Sequence, residues 1–142
     1  MANLQFHLEI VSPDGIIYKD DIEELSLPTT QGEITILPHH ASLYSKLEEG
    51  EAIITKGGKK SVIAILGGMV EVGKNTVSII TDYAIRAESI EMARAEEAKK
   101  RAEEVIKNKE ESVDYTMIDR DLKKSILELK VAQKYKKRSP QM

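Results

Sequence analysis

All eight glycines of this 142-residue chain, and three of its four prolines, lie before residue 88. Glycine and proline mark turns, so turns interrupt the first part of the chain and are missing from the second. Residues 1–87 carry 7 basic and 12 acidic side chains, a net charge of 7 − 12 = −5, whereas residues 88–142 carry 14 basic and 12 acidic, a net of +2. We therefore predict two domains of different architecture, 1–87 and 88–142.

Composition excludes several classes of protein. The chain has no cysteine, which rules out disulfides, thiol nucleophiles and iron–sulfur ligation. The net charge of −3 argues against nucleic-acid binding through bulk charge. No apolar run approaches the ~18 residues of a membrane span. Residues 1–6 lack the basic start and the apolar region of a signal peptide, so a cytosolic protein is expected.

Short apolar segments between turn residues fill the first part. Residues 4–10 (LQFHLEI) alternate apolar and polar side chains without a break, which is typical of a half-buried strand. Further strand-like segments are 16–18, 25–27, 33–37, 52–55, 61–66, 69–72 and 76–80. Strands that recur about every 8–12 residues predict an all-β sandwich or barrel.

Two helices are predicted in the second part. The first, with Ser89 as its N-cap, has an apolar face at spacings of 3, 4 and 3: Ala95, Ala98, Ala102 and Val105. The second has the face Tyr115, Ile118, Leu122, Ile126 and Leu129. The short polar break at 108–112 implies an antiparallel hairpin. A buried alanine methyl contributes about 0.8 kcal/mol, against about 1.5–3 kcal/mol for leucine, so we expect a weakly docked hairpin that can move.

Two motifs resemble chemical sites, a phosphate-binding loop and a metal site, but neither has the features that such a site requires. Residues 68–74 (GMVEVGK) match a phosphate-binding loop, but Asn75 replaces the required Ser or Thr, and the segment alternates as a strand does. His39 and His40 are adjacent, so on a strand they would point to opposite faces and could not easily share a metal ion. We predict no catalytic and no metal-binding residues, and interpret the histidines as a turn whose imidazole could contact a partner.

Charged residues of the helices offer two further candidates. Arg94 and Arg101 are seven apart on one helix face, where two guanidinium groups could bind phosphate oxygens; a solvated face is the alternative. Residues 123–142 carry seven basic side chains and one acidic, a net of 7 − 1 = +6. Because Tyr135 is its only aromatic residue, this segment favours an acidic protein partner over nucleic acid, with a solvated helix end as the alternative.

Three segments resemble the epsilon-subunit family of bacterial F-type ATP synthases. They are residues 31–41 (QGEITILPHHA), 66–72 (LGGMVEV) and 87–95 (AESIEMARA). Their order and spacing make the resemblance specific, and it covers essentially the whole chain. The resemblance implies an all-β sandwich of about ten strands followed by an α-helical antiparallel hairpin.

The resemblance also implies a function. The family is a non-catalytic part of the rotating central stalk, at the cytoplasmic face of the bacterial plasma membrane. Its sandwich binds the gamma subunit and the c-ring, and helps to couple ion flow to ATP synthesis. Its hairpin, when extended, reaches the alpha and beta subunits and inhibits ATP hydrolysis. A stand-alone nucleotide-sensing module is the alternative function.

Site residues follow from the resemblance position by position. Glu33 matches a family glutamate near the c-ring, and His40 a histidine near gamma. The inhibitory contact with beta is assigned to basic residues of the second helix: Lys123, Lys124, Lys130 and Lys134. Some members bind ATP through a motif that reads IEMARA here, at residues 90–95, and includes Glu91 and Arg94. Arg101, outside this motif, also matches the residues of those members. In the members that bind ATP tightly, the position of Glu91 is an aspartate and that of Glu128 an arginine. We therefore expect this chain to bind ATP weakly or not at all. We expect no other cofactor.

Overall fold

A computed structural model describes residues 4–109 and 114–138. The chain divides into two compact units, Met1–Arg86 and Ala87–Met142, here called the sandwich and the hairpin. The elements in chain order are β1 (Phe6–Ser12), β2 (Gly15–Ile22), β3 (Glu24–Thr29), β4 (Gly32–Ile36), β5 (Leu43–Lys56), β6 (Lys59–Val72), β7 (Thr76–Ile80), β8 (Ala84–Arg86), a short 3₁₀ helix (Ala87–Ser89), α1 (Met92–Asn108) and α2 (Tyr115–Arg138). The predicted class, a β-sandwich followed by a helical hairpin, is confirmed.

The strands form one sheet in the order β2-β1-β7-β6-β5-β3-β4, with β8 paired to β6. The pairing of β1 with β7 is parallel, and the other pairings are antiparallel. The described residues contain eight strands rather than the expected ten or so. The predicted segments 61–66 and 69–72 are a single strand, β6, and β5 begins nine residues earlier than the pattern at residue 52 indicated.

The sheet folds over itself. β2 and β5 are not neighbours in the strand order, yet Lys56 Nζ on β5 donates a hydrogen bond of 2.6 Å to Asp20 Oδ2 on β2. β6 pairs with β8 over residues 63–65 and with β7 over residues 69–72. Between these stretches Gly67 and Gly68 have φ values of 74° and 127°, a region that favours glycine. The two glycines let β6 change its neighbour without strain.

The core lies inside the sandwich and is almost wholly aliphatic. Along β1 every second residue is buried, as the alternation of residues 4–10 predicts. The fully buried large side chains include Leu8, Ile10, Ile22, Leu25, Leu27, Ile36, Ile54, Ile63, Ile65 and Ile79. The segment 68–74 continues β6 into a turn, so it is not a phosphate-binding loop.

The first helix of the hairpin has the predicted apolar face. Ala95 and Ala102 are buried, and Ala98 and Val105 are half-buried. The predicted N-cap is wrong: Ser89 belongs to the 3₁₀ helix, and Glu91 caps α1 through its backbone, its carbonyl accepting a bond from Ala95 N–H at 3.0 Å. The break predicted at 108–112 lies partly outside the described residues, and α1 ends at Asn108.

The second helix buries more of its surface than one periodic face. Ile126, predicted to be buried, is 45% exposed, whereas Leu127, Val131 and Ala132 are buried. The difference arises because α2 packs against the 3₁₀ helix as well as against α1, which widens the buried arc. Neither described helix is both long enough and apolar enough to cross a bilayer.

Candidate functional site

Four apolar residues form a row on the outer face of the sheet. Cross-strand pairing joins Ile16 on β2 to Val11 on β1, Val11 to Ile80 on β7, and Ile80 to Met69 on β6. Paired residues of adjacent strands share a face, so the four side chains are neighbours. Ile16 and Ile80 are 58% and 66% exposed, and Val11 and Met69 are half-buried. We call these four residues the apolar row.

The sequence contains a pattern that indicates this row, although it interrupts the simple alternation of apolar and polar residues. Each member adjoins a second apolar residue, in the doublets 10–11, 16–17, 69–70 and 79–80. Because successive side chains on a strand point to opposite faces, a doublet sends one apolar side chain into the core and the other outward. Val11 and Ile80 are the outward members beside the buried Ile10 and Ile79. Four such doublets, one on each of the adjacent strands β2, β1, β7 and β6, indicate an outer apolar surface.

Polar and charged residues border the apolar row. Two positions along their strands from Val11, Ile80 and Met69 lie Glu9, Ser78 and Glu71. This second row continues across the sheet to Lys19 on β2 and Tyr44 on β5, and Met69 itself pairs with Lys46 on β5. Lys19 Nζ lies 4.0 Å from Glu9 Oε2, and the ring of Tyr44 is largely exposed. An apolar strip with a polar border is the usual composition of a protein-binding surface.

Glu33 and His40 lie at opposite ends of β4. Glu33 is exposed near the start of this edge strand, opposite Pro28, and His40 lies in the loop 37–42 that follows the strand. Three residue steps along β4 from Glu33 to Ile36 span about 10 Å. The structure therefore does not bring the two residues together.

The ring of His40 has a defined hydrogen-bonding pattern. Its backbone N–H donates to the Leu37 carbonyl at 3.1 Å, and its Nδ1 lies 2.7 Å from the Ala41 carbonyl oxygen. A carbonyl oxygen only accepts, so Nδ1 must be the donor of this bond. The neutral ring then carries no proton on Nε2, which can accept a hydrogen bond from a partner.

The nucleotide candidates on α1 are exposed and separated. Arg94 Nη1 lies 3.7 Å from Glu91 Oε2, with both side chains well exposed. Arg101 is exposed two helical turns further on, about 10.5 Å along the axis. Glu91 competes with any phosphate for Arg94, so the three residues do not form a compact phosphate site.

Three of the four basic candidates on α2 share one exposed face. Lys123, Lys130 and Lys134 are seven and four residues apart, so they lie within an arc of about 40° around the helix axis. Lys123 Nζ also lies 3.3 Å from Asp119 Oδ2 one turn earlier. Lys124 is half-buried and lies about 100° from this face.

A small electrostatic cluster, not identified from the sequence, joins β2, β5 and β8. The Arg86 guanidinium lies 5.3 Å from the centroid of the buried Tyr18 ring, within cation–π range. Burial, with a smaller contribution from the Asp20 carboxylate, raises the pKa of Tyr18. The hydrogen bond between Lys56 and Asp20 lowers the pKa of Asp20 and raises that of Lys56. Among the described residues, no three His, Asp or Glu side chains are grouped so that they could hold a metal ion.

Comparison with known proteins decides the family. The beta-sandwich domain of the ATP synthase delta/epsilon chain matches residues 5–87, and the long alpha-helix domain of the same chain matches residues 88–133. The chain belongs to the ATP synthase delta/epsilon family. As a member of this family it is a non-catalytic subunit of an ATP synthase.

Individual members of the delta/epsilon family agree with the domain matches. The ATP synthase epsilon chain of Chloroflexus aggregans is 38% identical over 133 residues, 94% of this chain and 96% of the relative. That of Endomicrobium trichonymphae is 36% identical over 128 residues, 89% of this chain and 91% of the relative.

Two solved structures share the fold. A chain of the Euglena gracilis mitochondrial ATP synthase, solved with OSCP, F1 and the c-ring, superposes with a TM-score of 0.69 at 24% identity, over 92% of this chain and 81% of that one. A chain of the Tetrahymena thermophila mitochondrial ATP synthase, solved as the central stalk and c-ring, superposes with a TM-score of 0.51 at 15% identity. The superposition covers 59% of this chain and 68% of that one.

Proposed function

We propose that this chain is a rotor subunit of the central stalk, whose sandwich binds the gamma subunit and the c-ring. Its hairpin inhibits ATP hydrolysis when it extends to the alpha and beta subunits. The protein then couples ion flow to ATP synthesis at the cytoplasmic face of the bacterial plasma membrane. The name of the relatives, and the assemblies in which the two similar structures were solved, support this proposal.

The observation that carries the docking part of the proposal is the apolar row. Ile16 and Ile80 expose more than half of their surface, although a sheet face in contact with water normally carries polar residues. Full burial of an exposed isoleucine contributes about 1.5–3 kcal/mol, and covering the exposed part of these two contributes roughly 60% of that each, so the row favours a protein partner on this face. We assign this face to the gamma subunit.

The variant Ile80→Arg tests the docking face. A charged side chain buried in an apolar interface loses its hydration without gaining a partner, so affinity for an F1 core depleted of its epsilon chain should fall at least about tenfold. Ser61→Arg, at an exposed position at the other end of β6, is the matched control and should bind as the wild type does. Equal binding of both variants would remove the apolar row from the interface.

The inhibitory part of the proposal rests on the composition of the hairpin. The residues that α1 buries fully are the alanines Ala95 and Ala102, so α1 contributes little apolar surface to the hairpin, and the large buried side chains are those of Leu127 and Val131 on α2. The face formed by Lys123, Lys130 and Lys134 carries positive charge that an acidic surface of beta can attract. Lys124, half-buried in this arrangement, contributes to the contact only after the helix has moved.

ATP hydrolysis by the depleted F1 core tests the inhibition. Residues 1–142 should suppress hydrolysis, whereas residues 1–87 should bind without suppressing it. The shorter chain is a fair comparison because the whole core cluster lies within the sandwich. If both bind and neither suppresses, the chain is a coupling adaptor only. If neither binds a cognate core, the rotor function itself is wrong.

Charge reversal tests the basic face. The double variant Lys123→Glu/Lys130→Glu should lose most of the inhibition that residues 1–142 cause at low salt. At high salt the difference between the variant and the wild type should be smaller, because screening already weakens the attraction in the wild type. Unchanged inhibition would mean that this face does not contact beta.

Glu33 is proposed to contact the c-ring. Its exposure on the edge strand β4 leaves it accessible to a basic residue of a partner. Such a pair would contribute about 0–1 kcal/mol, so it would set register rather than affinity. Glu33→Lys should therefore reduce coupling of ion flow to synthesis more than it reduces assembly, and intact coupling would refute the contact.

ATP binding at Glu91, Arg94 and Arg101 is proposed to be millimolar or absent. The exposed Glu91–Arg94 pair and the distance to Arg101 support this. A micromolar dissociation constant by calorimetry, a difference of about 4 kcal/mol, would instead support the nucleotide-sensing alternative.

A further inference from the structure

Asn75 connects three segments of the sandwich that are distant in sequence. Its side-chain Oδ1 accepts a hydrogen bond of 3.2 Å from His39 N–H in the loop 37–42. Its Nδ2 donates at 2.8 Å to the Gln5 carbonyl before β1. Its backbone carbonyl accepts at 3.1 Å from His7 N–H in β1. The turn between β6 and β7 is thereby tied to the first strand and to the loop that carries His40.

The backbone at Asn75 explains why this residue type suits the position. Its φ is 56°, in the left-handed region that disfavours most side chains and that asparagine tolerates better than others. Glycine would adopt the same backbone but could form neither side-chain bond. Asparagine is the residue that supplies both an amide donor and a carbonyl acceptor from such a turn.

The loop that Asn75 contacts has little regular structure of its own. His39 also has a positive φ, 62°, and the loop is closed internally by His40 N–H donating to the Leu37 carbonyl. Leu37, His39, Ala41 and Ser42 are exposed. The hydrogen bond from His39 N–H to Asn75 Oδ1, one residue from His40, ties this loop to another part of the sandwich.

We propose that Asn75 is a positioning residue for the rotor contact made by His40. Its bond to His39 holds the loop so that His40, with Nδ1 engaged by the Ala41 carbonyl, presents Nε2 as an acceptor to a hydrogen-bond donor of the partner. This inference rests on the proposed function, and on the contact with the gamma subunit that the family resemblance implies for His40. Asn75 itself touches no partner.

A double-mutant cycle measures the effect. Labelled full-length chains are titrated with a cognate F1–c-ring complex depleted of its epsilon chain. Asn75→Gly should weaken binding about tenfold, which corresponds to about 1.4 kcal/mol. In a His40→Ala background the same substitution should change the dissociation constant less than about twofold, because a positioning residue has nothing left to position. Lys74→Ala, an exposed neighbour in the same turn, is the control and should bind as the wild type does.

The acceptor role of His40 is tested by two isosteric replacements. The side-chain oxygen of His40→Gln lies close to the position of Nε2, and that of His40→Asn close to the position of Nδ1. His40→Gln should retain most of the affinity and His40→Asn should bind as His40→Ala does. The reverse order would contradict the assignment of Nε2 as the acceptor.

A second variant covers the case in which Asn75→Gly unfolds. Asn75→Asp keeps the oxygen that accepts from His39 N–H and tolerates the same backbone. It should bind more tightly than Asn75→Gly, and the His39 amide of the free chain should exchange slowly in Asn75→Asp and rapidly in Asn75→Gly. Equal weakening in both variants would overturn the proposal.

The remaining outcomes separate the two levels of the argument. If His40→Ala weakens binding while Asn75→Gly does not, or if the two effects are additive, the positioning role is wrong and the rotor function stands. If His40→Ala binds as the wild type does, the contact on which the inference rests is absent. If the wild-type chain does not bind the depleted complex at all, the proposed function fails first.

Discussion

Gly68 has no room for a side chain. Its φ is 127°, and a Cβ built there would overlap the carbonyl oxygen of Ile80 and approach Thr81 Cα to 2.9 Å. Both neighbours are backbone, which cannot rotate away as a flexible side chain can. Gly68 therefore allows β6 and the end of β7 to lie in close contact, directly beside the apolar row.

We expect Gly68→Ala to destabilise the sandwich by at least about 3 kcal/mol. Backbone strain contributes about 1–3 kcal/mol, and the displacement of Ile80 adds to it. Gly58→Ala is the matched control, because Gly58 has a φ of 76° but open space around it. Its cost should be about 1–2 kcal/mol. Urea unfolding gives both values, and equal values would show that the contact with Ile80 is not tight.

Tyr18 makes the free energy of unfolding of the sandwich depend on pH in the alkaline range. Burial raises its pKa above the ordinary value of 10.0, so the folded state holds the phenolic proton more tightly than the unfolded chain does. The contribution of Tyr18 to the free energy of unfolding is complete below pH ~10, where the phenol is protonated in the folded and unfolded states. It is lost as the pH rises through the pKa of the folded state.

The free energy of unfolding should therefore fall more steeply above pH ~10 in the wild type than in Tyr18→Phe. The pair of Lys56 and Asp20 is present in both proteins, so the difference between the two curves reports the Tyr18 hydroxyl together with its electrostatic coupling to Lys56. Unfolding in urea over about pH 8–11 measures it. Parallel curves would mean that the Tyr18 hydroxyl is equally solvated in the folded and unfolded states.

At the scale of elements, α2 departs most from its sequence pattern. A single periodic face predicts that Ile126 is buried, yet Ile126 is 45% exposed and Leu127 is 4% exposed. Periodicity identifies a helix and the side on which apolar residues are densest. It does not tell how many neighbours the helix has, and α2 packs against the 3₁₀ helix in addition to α1.

Adjacent alanine substitutions should separate the two descriptions of α2. Leu127→Ala removes buried methyl groups and should cost about 2–5 kcal/mol, whereas Ile126→Ala should cost less than about 1 kcal/mol. The helical circular dichroism signal during urea unfolding reports the change. If Ile126→Ala were more destabilising than Leu127→Ala, the buried face of α2 would be the one that the sequence pattern predicts.

At the scale of the whole molecule, the two units differ in the quality of their cores. The sandwich buries ten or more large aliphatic side chains in one continuous cluster, whereas the helices of the hairpin bury two large ones, Leu127 and Val131, beside three alanines. Apolar surface removed from water is the main source of stability, so the hairpin has the smaller reserve.

Amide hydrogen exchange should follow this difference. Protection should be highest in β1, β6 and β7 and distinctly lower throughout residues 92–109 and 114–138, because local opening of the hairpin exposes less apolar surface. Exchange of the full chain, read residue by residue, provides the measurement. Uniformly slow exchange across both units would contradict the view that the hairpin opens readily.

Local periodicity predicted most of the fold because it needs only the near neighbours of each residue. The alternation of residues 4–10 identified β1, the alanine spacing identified α1, and the distribution of glycine indicated where strands give way to helices. The boundaries were less accurate. A single residue such as Ser89 can cap a helix in isolation, but the 3₁₀ helix that precedes α1 takes up that position.

The candidate site required the tertiary structure. Sequence resemblance singled out Glu33 and His40, but only strand pairing aligns Ile16, Val11, Ile80 and Met69 as one outer surface. Register determines which residues become neighbours across a sheet, and register depends on contacts between segments far apart in the chain. The bond from His39 to Asn75, across 36 residues, is of the same kind.

By itself, the sequence determined the two architectures, the order of their elements and the family resemblance, because these depend on local spacing and residue type. The tertiary structure decided which apolar residues remain exposed, which residue holds the loop of His40, and which side of α2 is buried. Those properties arise from the packing of distant segments, where one residue's environment is set by partners that the linear pattern does not name.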